Sequence, residues 1–349
     1  MVEWLAGNRI RGTTAERPNL GLPSGSVGGW VELGRHVIGT ASSEVFVASL
    51  PDKQYYMVLY EDKGQASAQA RLLRYNSDSG SNYSNRTSSA GGTDTEQNTQ
   101  PQHNGWNGNN TTPQFNVWYI ANLAGKEKLL SSQGVLQSSP PYRVEYSGKW
   151  ANTADAINRI GVIQNAGTHS TGTTMTVLGW DPADTHTTNF WEELASVEYS
   201  GGTALTSGTI TAKKYLWVQV YLKIASGTVD SNLWRFNADT GNSYDARYSR
   251  DGATDATNTG ISHMNMNFGA GTRNNQLINM FIINNSANEK LVTGSGVSQG
   301  ASGAGTAPNR LEFVSKWANT SSQITSIQCT QGNSLNFEAG TIMKVWGSD

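Results

Sequence analysis

Arg74-Tyr75-Asn76-Ser77-Asp78-Ser79-Gly80 returns 161 positions later as Arg235-Phe236-Asn237-Ala238-Asp239-Thr240-Gly241, and Lys149-Trp150-Ala151-Asn152-Thr153 returns 167 positions later as Lys316-Trp317-Ala318-Asn319-Thr320. The chain is a tandem duplication. Trp30 and Trp191, like Asp94 and Asp255, keep the spacing of 161, so the register slips by only about six residues over a whole unit. Units this long are the size of ordinary domains, which makes the repeat a pair of domains and not a solenoid of small units. The duplication also sorts residues. Those kept in both copies serve the fold, and those present in one copy are freer to act.

Working outward, residues 30–183 form the first unit and residues 184–349 the second. Pro182-Ala183-Asp184-Thr185-His186-Thr187 reads as the joint between them. Residues 1–29 have no counterpart before the second unit and carry Arg9, Arg11, Arg17, Pro18 and Pro23. They read as an extended amino-terminal arm, with the three arginines as candidate assembly residues.

Within each unit the apolar period is two. Leu216, Val218, Val220 and Leu222 alternate with Tyr215, Trp217, Gln219 and Tyr221, a strand with one buried and one aromatic face. Aligning Tyr55 to Tyr60 with it places Tyr56 opposite Trp217 and Tyr60 opposite Tyr221. Residues 189–195 have the look of a helical turn, but their copy, Gly28-Gly29-Trp30-Val31-Glu32-Leu33-Gly34, is a strand start, so both are expected to be strands. Gly, Asn, Asp and Ser clusters punctuate these runs. The expected fold is all-β: two tandem, jelly-roll-like antiparallel β-sandwiches preceded by an arm.

Composition agrees and narrows the functions. With 38 Gly among 349 residues and many Ser, Thr and Asn, the chain is poor helix material and rich in turn formers. A net charge of −2 without a basic run speaks against nucleic acid as the partner. The single cysteine, Cys329, excludes an internal disulfide framework and a cysteine zinc site. No apolar run is long enough for a membrane span, and Met1-Val2-Glu3-Trp4-Leu5 lacks the pattern of a cleaved signal, so neither membrane insertion nor ordinary secretion is expected.

Asn76, Asp78 and Gly80, with Asn237, Asp239 and Gly241, have the alternating oxygen spacing of a calcium loop, and Asn76, Asp78, Asn237 and Asp239 are the candidate ligands. Neither copy supplies the further carboxylates or the terminal Glu of such a loop. The competing reading is a tight turn in which Asp caps backbone amides. In Arg143-Val144-Glu145-Tyr146-Ser147-Gly148-Lys149-Trp150, copied at Arg310 to Trp317, Arg, Glu and Lys share one strand face. That face is either a solvated surface or a subunit contact. The five histidines recur in neither copy and have no ligand spacing, and Glu192-Glu193 would point to opposite faces of a strand, so no catalytic residue and no cofactor other than calcium is nominated. The unduplicated loop Asn98 to Gln114 places Trp106 among amide side chains, the mix that carbohydrate sites use, and makes His103, Asn104, Trp106 and Asn107 candidates for binding a glycan or a host receptor.

The openings Gly28-Gly29-Trp30-Val31-Glu32-Leu33 and Phe190-Trp191-Glu192-Glu193-Leu194, the tyrosine-rich strands after them and the Arg-aromatic-Asn-x-Asp-x-Gly turns resemble the jelly-roll modules of bacteriophage and archaeal-virus structural proteins. The resemblance implies a non-enzymatic virion component assembled in the host cytoplasm: a capsid or decoration subunit, or a tail appendage that touches the host. Its partners would be copies of itself, other virion proteins and, for an appendage, a host surface glycan. The alternatives are a carbohydrate-binding or receptor-binding sandwich, viral or cellular, and, third, a glycan-active enzyme; a protein that is not part of a virion is expected to be extracellular.

Overall fold

The structure is a computed structural model of the chain and describes residues 29–64, 70–104, 111–181, 190–224, 231–268, 275–298, 309–332 and 336–349. The arm residues Arg9, Arg11 and Arg17, the joint 182–187, and Trp106 and Asn107 lie outside the described residues. The first unit consists of β1 (Val31–Val37), β2 (Glu44–Ala48), β3 (Tyr55–Asp62), β4 (Arg71–Tyr75), β5 (Tyr83–Ser89), β6 (Thr95–Gln100), β7 (His103–Asn104), β8 (Gln114–Ala121), β9 (Lys128–Leu136), β10 (Tyr142–Trp150), β11 (Arg159–Gln164) and β12 (Thr174–Trp180). The second repeats the series as β13 (Glu192–Glu198), β14 (Ala204–Thr206), β15 (Tyr215–Lys223), β16 (Asn232–Phe236), β17 (Tyr244–Arg250), β18 (Ala256–Ile261), β19 (Met264–Met266), β20 (Asn275–Ile283), β21 (Lys290–Ser298), β22 (Asn309–Trp317), β23 (Ile327–Gln331) and β24 (Ile342–Ser348).

Each unit is a sandwich of a large and a small antiparallel sheet. The large sheet of the first runs β1-β12-β3-β8-β9-β10-β5-β6 and its small sheet β2-β11-β4-β7; the second unit repeats both orders strand for strand. The first strand lies beside the last and the chain passes back and forth between the sheets, which is jelly-roll-like winding. The disputed segment is a strand from Val31 in one copy and from Glu192 in the other, and both carry a bulge at the same place, between Glu32 and Gly34 in β1 and between Glu193 and Ala195 in β13.

Alternation fixes what each face buries. Val58, Trp118, Trp150 and Ile160 fill the first sandwich, and Val218, Val220, Trp234 and Trp317 the second. A third apolar cluster joins the units. Met57, Leu59, Phe115, Val117 and Val135 of the first large sheet meet Tyr215, Phe281, Ile283, Leu291 and Trp346 of the second. The molecule is therefore four-layered, with the large sheets facing one another and the small sheets outside. Full burial contributes roughly 1.5–3 kcal/mol per large apolar side chain.

One expected alignment fails by a single residue. The ladders pair Tyr56 with Ile120 and Leu216 with Ile282, and the equivalent amides of Asn122 and Asn284 bond to the carbonyls of Gln54 and Lys214. Tyr56 is thus the counterpart of Leu216, not of Trp217. Strand side chains alternate, so the slip exchanges faces. Tyr56 and Tyr60 lie in the core of their own sandwich, while Trp217 packs at the contact between units.

Candidate functional site

The repeated turn and the repeated Lys-Trp segment meet in both copies. Asp78 accepts hydrogen bonds from the Gly80 amide (2.7 Å), the Asn82 side chain (2.9 Å) and Trp150 Nε1 (2.7 Å). Asp239 accepts them from the Gly241 amide (2.8 Å), the Ser243 hydroxyl (2.6 Å) and Trp317 Nε1 (2.7 Å). Asn76 Oδ1 accepts the amides of Asn158 and Arg159, and Asn237 Oδ1 those of Thr325 and Ser326. Asn76 and Asn237 hold positive φ, which Asn tolerates better than most residues. The four proposed calcium ligands therefore turn their oxygens toward N–H and O–H donors. The arrangement is a clasp that fastens the end of β10 or β22 to the turn that leads into β5 or β17. Burial opposes ionisation of Asp78 and Asp239, but these hydrogen bonds outweigh it and hold both carboxyls below the ordinary aspartate value.

His103, offered above as a glycan contact, is corrected by its position. It is fully buried in β7, ringed edge-on by Tyr75, Tyr83 and Tyr146, and burial pushes its pKa down to about 3. A short strand pairing with Leu73 turns it into the core and away from any ligand. Asn104 is half-buried in the same strand.

Other buried polar residues escaped the sequence reading. Asn122 and Asn284 each clamp two chain segments: Asn122 receives the Ile157 amide (3.0 Å) and donates to the Lys53 carbonyl (2.9 Å), and Asn284 receives the Ile324 amide (2.6 Å) and donates to the Lys213 carbonyl (3.0 Å). Their signal was the shared Asn at the end of an apolar run. Asp62 and Arg71 form a fully buried ion pair, with Tyr60 and Thr173 also donating to Asp62. Only the first copy has this pair.

The charged stripe of β10 and β22 lies where the units meet. Arg143 reaches Asp255 of the other unit at 2.7 Å and Glu312 at 3.8 Å, and is also paired with Glu145 of its own strand. Burial and the neighbouring Glu145 carboxylate push the Glu312 carboxyl above its ordinary value. Beside this network opens a polar cleft of about 400 Å³ lined by matching residues of both copies, among them Ser88 and Ser249, Gly91 and Gly252, and Arg143 and Arg310.

A second cleft, of about 370 Å³, is apolar and belongs to the first unit. Trp30, Tyr55, Tyr119, Leu129 and Trp180 line it, with Tyr55 and Trp180 stacked at 5.3 Å between ring centroids. Strand pairing builds it, because Trp180 lies opposite Tyr55, Tyr55 opposite Ala121 and Ala121 opposite Leu129. Among the described residues no three His, Cys, Asp or Glu side chains are grouped as metal ligands.

No protein-family model matches the chain, and no curated protein matches it. Among solved structures it is similar to the mouse laminin alpha1 chain, domains LG4-5, at 10% identity over 90% of this chain and 93% of that one, with a TM-score of 0.17. At that score the likeness carries no argument.

Proposed function

We propose that the chain is a non-enzymatic virion structural protein that assembles with copies of itself through its amino-terminal arm and its sandwich surfaces. The observation that supports this reading is the apolar cleft of the first unit. Residues 1–29 lead directly into Trp30, which packs against the inter-unit cluster and forms one wall of a cleft in which Tyr55 and Trp180 are half-buried and Tyr119 and Leu129 are exposed. Contiguous exposed apolar surface marks a contact site. The cleft is lined by no amide, carboxylate or cationic side chain, and a sugar needs several placed donors and acceptors, so a protein surface suits it better than a glycan. The buried contact between the large sheets supports the same reading, since it makes a tandem pair into one block with four layers.

Negative-stain microscopy of the purified full-length chain tests the proposal. Rings, shells, tubes or compact oligomers are expected. A dispersed monomer that binds immobilised glycans would favour the carbohydrate-binding alternative, which now rests on Asn104, Trp106 and Asn107.

A further inference from the structure

The inward-facing side of each large sheet carries rows of side chains that run directly across neighbouring strands. One end row is Trp180–Tyr55–Ala121–Leu129 in the first unit and Ser348–Tyr215–Ile283–Leu291 in the second. The row at the opposite strand ends is Thr174–Glu61–Phe115–Val135 in the first unit and Ile342–Tyr221–Leu277–Val297 in the second.

Two of these four rows bury one another within the chain. Phe115 and Val135 share the inter-unit cluster with Tyr215, Ile283 and Leu291, and the Phe115 and Tyr215 rings lie 6.3 Å apart. Lys214 closes the flank on Glu61 at 3.1 Å. The other two rows stay open. Tyr221, Leu277, Val297 and Ile342 are 37–41% exposed and Leu129 is 57% exposed, while Trp180, Tyr55 and Ala121 beside Leu129 are half-buried, and none of them belongs to the inter-unit cluster.

The duplication tells what an open row fits. The row through Phe115 is covered by the end row of the other kind of unit, so its copy through Leu277 calls for an end row too, and the uncovered one is the aromatic end row of the first unit. Charge agrees. Inside the chain Glu61 needs Lys214, whereas the equivalent positions at the open rows hold Tyr221 and Gln54, so no buried ion pair is required there. The charged groups that flank the rows, Glu198 beside Ile342, Arg310 beside Val297 and Lys149 beside Leu129, lie at their ends.

We infer that the row Ile342–Tyr221–Leu277–Val297 docks on the row Trp180–Tyr55–Ala121–Leu129 of a second copy of this chain, extending to a neighbour the kind of contact that joins the two units. The inference rests on the assembly reading above and names its contact. The contact joins unlike surfaces, so each copy carries one of each.

Sedimentation velocity on the full-length chain, on Leu277→Glu with Val297→Glu, on Leu129→Glu with Tyr55→Ser, and on an equimolar mixture of the two variants tests it. The full chain is expected to self-associate, each variant alone to stay monomeric, and the mixture to form one-to-one pairs, because the intact row of one variant meets the intact row of the other. Self-association of either variant at the strength of the unaltered chain, or a mixture that stays monomeric, overturns the row pairing and leaves the assembly reading standing. A full chain that is monomeric at every concentration overturns both. Should a glutamate pair fail to fold, Leu277→Gln or Leu129→Gln is read against the same outcomes.

Discussion

The guanidinium of Arg143 in the first unit lies 2.7 Å from the carboxylate of Asp255 in the second, and both side chains are almost entirely buried. Their counterparts, Arg310 and Asp94, do not pair in this way; the Arg310 side chain is 63% exposed and bonds to Glu312 of its own strand. Removing one partner of a buried pair strands the other charge, at a cost of about 3–5 kcal/mol. Arg143→Ala leaves Asp255 only the Arg247 guanidinium, 3.6 Å away in its own unit, and is therefore expected to lower the stability of the whole molecule by part of that cost, about 1–3 kcal/mol, in urea unfolding. Arg310→Ala, at an exposed site, is expected to change it by less than about 0.5 kcal/mol.

The clasp predicts matched effects in the two copies. Trp150→Phe and Trp317→Phe each delete an indole donor to a carboxylate while keeping most of the ring, and each is expected to cost about 1–3 kcal/mol. Asp78 and Asp239 have lowered folded-state pKa values, so their contribution is complete above the unfolded value of about 3.9 and is lost as pH falls through the lower folded value. The destabilisation caused by Asp78→Ala, measured by thermal unfolding, should shrink as pH falls below about 4.

His103 acts over a different pH range. Its folded pKa, about 3, is well below the unfolded value of about 6.5, so the unfolded chain binds the extra proton between those two values. Stability should then fall as pH drops through that window, by up to about 1.4 kcal/mol per pH unit. His169 and His263 are shifted the same way and add to the slope. His103→Met, which installs the residue found at the same place in the second unit, Met264, is expected to flatten part of this acid-side loss. An unchanged pH profile of the unfolding midpoint would contradict the assigned burial.

The buried pair Asp62–Arg71 invites a third comparison, because the second unit has Leu222 and Asn232 there. Asp62→Leu alone should cost about 3–5 kcal/mol by leaving Arg71 without its partner. Adding Arg71→Asn should recover part of that loss, which a double-mutant cycle in urea measures directly.

Much of the architecture was legible because the chain repeats itself. The Gly-flanked copy of residues 189–195 pointed to a strand, which runs from Glu192, and period-two alternation found the core face of β15. The face of Tyr56 was misread because aromatic residues were matched to aromatic residues, whereas the strands pair one residue earlier and physical alternation, not residue likeness, sets the face. His103 could have been placed from the sequence: a spacing of 161 sets it opposite Met264, a core residue. The destination of the Arg143 and Glu145 face was not legible, because alternation says which side chains share a face and not what that face meets. For the same reason the apolar cleft went unseen, since it gathers Trp30, Tyr55, Leu129 and Trp180 from four strands or strand ends far apart in sequence.

The most direct test of the central claim is the mass in solution, by light scattering, of the full-length chain and of a chain lacking residues 1–29. The account predicts an assembly of several copies for the first and a marked loss of mass per particle for the second. A monomer in both cases would contradict it, and would move the function toward a binding module built around the loop that carries Trp106.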